Sequence, residues 1–454
     1  MFAALVLLAA AAIAPDWLAR TAGAAATTDQ PTAPARLHDP WFWQATVGER
    51  PAGPATVLFF TDRTRYFEST GVMVGRTGGY RLLPVDVGEG QGVLSPDGRL
   101  YLRPGSGVVV DLATGEERRS GPTGFRPLAW SPRDGELLGT RDNDDTVVTY
   151  GPDNQPVNDP AHPDDLLAVD LHTARTRVVP AGTFASHAAA SWSPDGRLIV
   201  VAGAVGPGDG DRQRVTVVDP WTGAVRWSRD LAGGYRLGGR AAWSPDGGRI
   251  ALLGYEGCAG DACPPESVAA RQWRIGYLDA LTGAPLGSAV PLDGWPKEVV
   301  GWRAGTEPVL TRVPEGEVRV GGSHLVVVAV RSDGRSETLV DSPAGVTGIE
   351  LPDVVLAQSA FGGGDHRPSV FAAPLWAYLL VAAPPLVLVG WLVRRRRTAR
   401  SAGATLPTGV GAGAGVAPPA TATLTGAGAG AGAATLTGAG AGSTQPTADA
   451  PPAG

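Results

Sequence analysis

The sequence predicts an all-β fold, a six-bladed β-propeller, followed by one C-terminal transmembrane helix. Three observations support this prediction. A Ser-Pro-Asp-Gly turn recurs about every 36 to 62 residues, a second turn of the form Asp-x-x-Thr-Gly follows most copies, and one long uncharged run lies near the C-terminus. Repeats at such intervals are typical of solenoids and propellers. Two hairpins per repeat make four strands, which is the size of one propeller blade.

The first turn of each repeat has the residues that a tight hairpin requires. Proline supplies the fixed φ of the second turn position, aspartate bonds its own backbone, and glycine adopts a positive φ. Mostly apolar residues flank the turn, as at 189–192 and 198–201, which indicates a hairpin between buried strands. A tryptophan also recurs at one position of the repeat, and we interpret it as packing between blades. The motif residues are Pro96, Asp97, Gly98, Trp130, Trp192, Pro194, Asp195, Gly196, Trp243, Pro245, Asp246 and Gly247.

The repeats place the propeller at residues 55–362. The first strands, within 56–87, have no opening Ser-Pro-Asp-Gly hairpin, and five complete units follow them. The apolar stretch 346–356 can supply the missing strand, so that both ends of the chain close the ring in one blade. Six blades follow from this count. Seven is the alternative, if residues 41–47 begin a blade of their own.

The N-terminal residues predict export. Residues 1–14 are all apolar, so we interpret 1–26 as a signal peptide or an N-terminal hydrophobic anchor. Residues 27–54, rich in proline, threonine and alanine at their start, are interpreted as a linker.

The C-terminal residues predict attachment to the cell membrane. Residues 374–393 are uncharged and mostly apolar, and a helix of that length spans about 30 Å, the thickness of a bilayer core. Four arginines follow at 394–397, which place the C-terminal side in the cytoplasm and the propeller outside the cell. Residues 394–454 are rich in alanine, glycine and threonine, and they predict a disordered cytoplasmic tail.

The Trp-Ser-Pro-Asp-Gly hairpins near 130, 192 and 243, with a leucine form at 94 and the Asp-x-x-Thr-Gly turns downstream, resemble those of TolB-type and WD-like β-propellers. The overall layout is similar to that of exported, membrane-anchored propellers of GC-rich bacteria. The resemblance implies the propeller fold for roughly residues 55–356. Such propellers serve as binding platforms, translocation components and the non-catalytic halves of peptidases, so the resemblance does not select one function.

Composition and motifs exclude several classes of function. The net charge is −6 and no basic stripe occurs outside one short run, which argues against a nucleic-acid partner. No Gly-x-Ser-x-Gly turn occurs, so a peptidase of the propeller-plus-hydrolase type is not expected. The six histidines do not have metal-ligand spacing; they are His38, His162, His172, His187, His324 and His366.

Length variation between the second and third strands of each blade points to a binding face. These insertions lie at 139–165, 203–214 and 254–272, and alternating strand directions bring all of them to one face of the ring. We therefore predict a binding site for a partner or ligand on that face, without catalytic residues, at Asp142, Asp144, Asp145, Asp159, His162, Asp164, Asp165, Asp209, Asp211, Glu256 and Asp261.

The acidic residues leave three interpretations open: solvated loops, a face for a basic protein partner, and a Ca²⁺ site. Residues 142–145 offer oxygen ligands for Ca²⁺ but lack the glycine and distal glutamate of an EF-hand loop, so no cofactor is assigned. Cys258 and Cys263, the only cysteines, lie within one insertion, and an exported domain favours a disulfide between them. Free thiols and a metal site are the alternatives.

We therefore predict a non-enzymatic, extracytoplasmic and membrane-anchored propeller that binds a protein or another cell-envelope partner through its acidic loops. The first alternative is a propeller lyase or hydrolase with a site at the channel mouth, for which His162 beside Asp164 is the only indication. Further alternatives are a TolB-like envelope translocation component and an envelope sensor.

Overall fold

The computed structural model describes residues 31–61, 70–83, 92–133, 135–141, 149–150, 156–157, 165–180, 189–204, 213–258, 263–315, 324–370 and 372–402. Its sheets are six four-stranded antiparallel blades and one two-stranded hairpin. The first blade contains β1 (Ala55–Thr61), β2 (Thr70–Gly75) and β3 (Tyr80–Leu83). The second blade contains β4 (Val93–Leu94), β5 (Leu100–Leu102), β6 (Val108–Asp111) and β7 (Glu117–Arg119). The third blade contains β8 (Phe125–Trp130), β9 (Glu136–Arg141), β12 (Asp165–Asp170) and β13 (Arg175–Val178), and the separate hairpin β10 (Thr149–Tyr150) and β11 (Pro156–Val157) lies between β9 and β12 in the chain.

The remaining blades follow in chain order. The fourth blade contains β14 (Ala189–Trp192), β15 (Ile199–Ala204), β16 (Gln213–Val218) and β17 (Val225–Asp230). The fifth blade contains β18 (Arg236–Leu237), β19 (Arg249–Glu256), β20 (Gln272–Asp279) and β21 (Pro285–Leu292). The sixth blade contains β22 (Trp295–Arg303), β23 (Glu307–Val313), β24 (Val326–Val330) and β25 (Ser336–Asp341). The last strand, β26 (Val346–Glu350), pairs with β1 and completes the first blade, with Leu58 opposite Glu350. The predicted six-bladed ring, closed by both ends of the propeller segment, is confirmed.

The hydrophobic core is divided among the six seams between neighbouring blades. Each seam holds one cluster of buried side chains contributed by two adjacent blades. The motif tryptophans lie at these seams: the Trp192 indole donates to the carbonyl of Ala129 (3.3 Å) in the preceding blade, and the Trp302 indole donates to Ala241 (2.8 Å). Trp192 and Trp302 therefore join neighbouring blades, and Trp302 occupies the repeated tryptophan position in the last blade.

The segment before β1 packs along the outer strands of two blades. Leu37 N donates to the Asp341 carbonyl (2.7 Å) at the end of β25, and Val47 N donates to the Leu82 carbonyl (2.9 Å) in β3. Leu37 and Val47 are buried. The described part of the interpreted linker thus covers the outer edges of the last and first blades, and residues 45–47 extend the first blade instead of starting a seventh.

Three helices are described: α1 (Pro265–Ala269), α2 (Asp353–Ala357) and α3 (Leu375–Ala402). Val354 N, in α2, donates to the Pro96 carbonyl (3.1 Å) in the second blade's Ser-Pro-Asp-Gly turn, and Val355 and Leu356 are buried in the seam between the sixth and first blades. α3 contains Pro384 and Pro385. Among the described residues, none of the helices meets the length and apolarity needed to cross a membrane. Residues 1–30 lie outside the described residues, and they include the predicted signal peptide or anchor at 1–26. Residues 403–454, most of the predicted tail, also lie outside them.

Candidate functional site

The two faces of the ring differ in construction. The turns from first to second strand and from third to fourth strand form one face, which we call the turn face. The connections from second to third strand and the links between blades form the other, which we call the loop face. On the turn face, β6 and β7 are separated by five residues, whereas on the loop face fifteen separate β19 from β20. Long segments therefore collect on the loop face.

Aspartates of the repeated motifs accept hydrogen bonds from residues of their own turns on the turn face. Asp195 Oδ1 accepts hydrogen bonds from Ser193 Oγ (2.7 Å) and Arg197 N (3.0 Å), and Asp246 is held by Ser244 in the same way. These hydrogen bonds, the serine hydroxyl first, hold the pKa of both carboxyls below its usual range. Asp195 and Asp246 therefore bond within their own turns.

The predicted acidic site is only partly covered by the described residues. Asp165 pairs with Arg141 (3.2 Å) on the neighbouring strand, and Glu256 pairs with Arg274 (2.6 Å). Both carboxylates are thus matched by an arginine. The other nine residues lie outside the described part of the chain; they are Asp142, Asp144, Asp145, Asp159, His162, Asp164, Asp209, Asp211 and Asp261.

The described loop face instead carries a row of aromatic rings, Tyr255, Trp273 and Trp295, which we call the aromatic ladder. The Tyr255 and Trp273 ring centroids are 5.1 Å apart, and Trp273 stacks on Trp295 at 6.1 Å with an interplanar angle of 17°. The rings come from β19, β20 and β22, so the ladder runs from the fifth blade to the channel-lining strand of the sixth.

Cationic side chains cover both ends of the aromatic ladder. The Arg271 guanidinium lies 4.2 Å from the Tyr255 centroid, and Lys297 Nζ lies 3.7 Å from the Trp295 centroid. A cation held over an aromatic face at such distances is favoured by about 0.5–1 kcal/mol, and by more where it is desolvated. The ladder and its cations therefore form an ordered, positively charged strip on a face for which the sequence predicted acidic residues.

The disulfide bond anchors the outer end of this strip. Cys258 and Cys263 are joined in the fifth blade's insertion, directly before α1. Arg271 Nε donates to the Cys258 carbonyl (2.9 Å), so the side chain that stacks on Tyr255 also holds the disulfide loop. The loop-closing bond thus shapes this face rather than the blades themselves.

A second polar cluster lies inside the ring, where first strands from several blades meet. The Arg240 guanidinium forms an ion pair with Glu350 and lies 3.9 Å from Glu298. Glu350 also accepts a hydrogen bond from Leu94 N (2.8 Å), in the second blade. Burial raises the pKa of Glu350 to about 7, against the opposing effect of Arg240. We call Arg240, Glu298 and Glu350 the channel cluster; with the Leu94 amide it links four blades at the centre of the ring.

Two of the described histidines, His38 and His324, contact aspartates. His38 Nε2 contacts Asp365 (2.5 Å) and His324 Nε2 contacts Asp341 (2.6 Å), both where the segments flanking the propeller meet outer strands. Among the described residues, no group of three or more His, Cys, Asp or Glu side chains could hold a metal ion. The predicted Ca²⁺ alternative at 142–145 falls outside these residues.

Sequence reasoning missed the aromatic ladder and the channel cluster. Trp273 and Trp295 were visible as tryptophans outside the repeated position, which is the one signal that could have found the ladder. Arg240, Glu298 and Glu350 carry no such signal, because each comes from a different blade and none belongs to a motif.

No protein-family model matches the sequence, and no curated protein matches it either. Among solved structures, the chain is similar to TolB from Acinetobacter baumannii, with 14% identity, 66% of each chain covered and a TM-score of 0.42. It is also similar to an oligogalacturonate lyase from Vibrio parahaemolyticus, with 15% identity, 70% of this chain and 80% of that chain covered and a TM-score of 0.40. A third similar structure is an acylaminoacyl peptidase from Pyrococcus horikoshii, with 14% identity, 62% of this chain and 39% of that chain covered and a TM-score of 0.33. At these scores the similarities carry no argument about activity. The TolB-type resemblance read from the hairpins is confirmed for the fold alone, as a six-bladed β-propeller.

Proposed function

We propose that this chain is a non-catalytic binding module of the cell envelope, in which the loop face of the propeller holds a protein or another envelope partner. The asymmetry between the two faces carries the proposal. The turn face is built from short turns whose aspartates are bonded within the turns. The loop face carries the long insertions, the disulfide and the aromatic ladder. Variable segments on a rigid scaffold are where proteins usually bind partners.

The composition of the described loop face supports recognition of a partner. Tryptophan, tyrosine and arginine are the residues most enriched among those that dominate binding energies at interfaces. Tyr255 and Trp295 are partly exposed, and the stacking around them holds their rings in place, so little side-chain freedom remains to be lost on binding. The acidic residues predicted on the same face remain proposed contacts for a basic segment of the partner.

Site-specific photo-crosslinking tests which face binds. A benzophenone amino acid at Gln272, exposed at the start of β20 on the loop face, is expected to crosslink a partner of defined mass in the native envelope. The matched control is the same substitution at Leu281, which is 84% exposed on the turn face. Equal products from both positions, or products from Leu281 alone, would contradict the proposal.

We also propose that the C-terminal region attaches the propeller to the membrane, with the propeller outside the cell and the tail in the cytoplasm. The surface beside the start of α3 supports this. Trp41 and Trp43 stack at 5.0 Å, and their indoles donate to the carbonyls of Pro368 and Val370 (both 3.0 Å), shortly before α3 begins. Phe42 between them is 67% exposed. Such aromatic clusters are favoured at membrane–water interfaces.

An environment-sensitive fluorophore reports the depth of this aromatic surface. The variant Phe42→Cys, labelled with NBD on the full chain in phosphatidylcholine–phosphatidylglycerol vesicles, is expected to emit at shorter wavelength and to be quenched by nitroxide lipids. The native cysteines are paired with each other, so the introduced thiol is labelled selectively. Leu281→Cys, labelled identically, is expected to report water. Vesicle flotation with a water-exposed label at residue 42 would refute the interfacial role alone; failure to float would refute membrane attachment.

A further inference from the structure

Two cationic side chains meet at the loop-face mouth of the channel. Arg236 begins β18 and Lys297 lies near the start of β22, and these are the channel-lining strands of neighbouring blades. Arg236 Nη2 donates to the carbonyl oxygens of Pro296 (2.9 Å) and Lys297 (3.1 Å). The guanidinium of one blade is thereby fixed against the lysine-bearing strand of the next. We call Arg236 and Lys297 the cation pair.

Within the part of the chain that the structure describes, no carboxylate pairs directly with either member of the cation pair. The charge of Glu298 opposes the lowering of the Arg236 pKa, but the recorded ion pair of Glu298 is with Arg240, at 3.9 Å. Burial, and then the like charge of Arg236, lowers the pKa of Lys297, and burial lowers the pKa of Arg236. Repulsion between two neighbouring positive charges and their partial desolvation both destabilise the charged forms of the two side chains. A bound anion would offset this cost.

The aromatic ladder holds the lysine in position. Lys297 Nζ lies 3.7 Å from the centroid of Trp295, whose other contacts include the stacked ring of Trp273. Arg236 lies 5.8 Å from the Trp273 centroid, so both cations border the same pair of rings. The side chains are therefore ordered before any ligand arrives, which lowers the entropic cost of binding. Lys297 is the only lysine of the chain.

We propose that the cation pair binds an anionic group, a carboxylate or a phosphate, of a ligand that enters the channel mouth from the loop face. The charge is supplied by Arg236 and Lys297, and the Trp295 ring forms the wall beside the anion. This inference names the ligand chemistry of the proposed binding face and rests on that proposal. A guanidinium suits planar, bidentate contact with either oxyanion, and the ammonium adds a point charge.

The single lysine permits a direct test. Reductive methylation of the full chain with ¹³C-formaldehyde labels Lys297 and the N-terminal amine and preserves the positive charge. We expect the Lys297 signal to shift saturably when inorganic phosphate or acetate is added, and not when chloride is added at equal ionic strength. The two titrations distinguish a phosphate site from a carboxylate site. Identical shifts with chloride would overturn the proposal.

Two arginine variants separate the site from general charge effects. Arg236→Met is expected to weaken binding of the effective anion about tenfold or more, since hydrogen bonds to charged groups contribute about 1.5–3 kcal/mol. Arg249→Met is the matched control, because Arg249 also lies 5.4 Å from two aromatic centroids, at the turn-face end of β19. Unchanged anion affinity in Arg236→Met would refute the site. Crosslinking from Gln272 that persists in that variant would show that partner binding stands without it.

Discussion

Replacing Arg240 by methionine is expected to lower the free energy of unfolding by about 3–5 kcal/mol at pH 8, because the substitution leaves the Glu350 carboxyl group buried without its cationic partner. Glu350 has a side chain only 4% exposed, and it joins Arg240 of the fifth blade to Leu94 of the second. Denaturant unfolding of the full chain, followed by tryptophan fluorescence, measures the loss.

The loss should depend on pH in a defined direction. Burial already raises the pKa of Glu350 to about 7, and removing Arg240 raises it further. Above the unfolded value of about 4.5 both folded proteins hold a proton that the unfolded chain releases, and above about 7 only the variant retains it. The loss caused by the substitution should therefore grow as pH rises from about 7 to 8. The control is Arg335→Met, which removes an ion pair with Asp333 at a site where the Arg335 side chain is 82% exposed, and it should cost less than about 0.5 kcal/mol. A pH-independent loss in Arg240→Met would contradict this account of Glu350.

Two alanine substitutions at equivalent turn glycines are expected to lower the free energy of unfolding by clearly different amounts. Gly98 and Gly247 occupy the same position of the Ser-Pro-Asp-Gly turn, and both have φ of +74°. A Cβ at Gly247 would have no atom within 4 Å, so Gly247→Ala should cost only the backbone strain, about 1–2 kcal/mol. A Cβ at Gly98 would overlap the backbone carbonyl of Ala55 in the first blade.

Gly98→Ala should therefore cost about 2 kcal/mol more than Gly247→Ala, since the backbone of β1 must move away from the turn. The Gly98 carbonyl accepts a hydrogen bond from Ala55 N (2.7 Å), and this bond would be strained by the same movement. Parallel urea titrations of the two variants measure the difference. Equal midpoints would show that the contact between the second and first blades tolerates displacement.

The blade count could be predicted from the sequence because its signal is local. Each Ser-Pro-Asp-Gly turn encodes its own hairpin, and the same is true of the Asp-x-x-Thr-Gly turn, so no knowledge of distant contacts is needed. The closing strand β26 was found by the same logic, as the apolar segment that one incomplete blade lacked. The fold prediction thus depended on short-range chemistry repeated along the chain.

The site could not be predicted because its residues meet only after the ring has closed. Glu350 reaches Arg240 and Leu94 across the channel, from blades that are far apart in the chain. Trp273 and Trp295 stack across a seam between blades. Residues 31–47 had the composition of a linker, and only their hydrogen bonds to outer strands reveal that they cover sheet edges.

The closing pair of strands imposes an order on synthesis. Of the described strands, β1 is the first to be synthesised, and its partner β26 is the last. Through the intervening translation the β1 edge at 58–61 has its backbone groups available to any other extended chain. Nascent chains translated from the same messenger RNA can therefore pair with one another through the unpaired edge of β1. Slower translation should increase this aggregation of nascent chains without changing the stability of the completed ring.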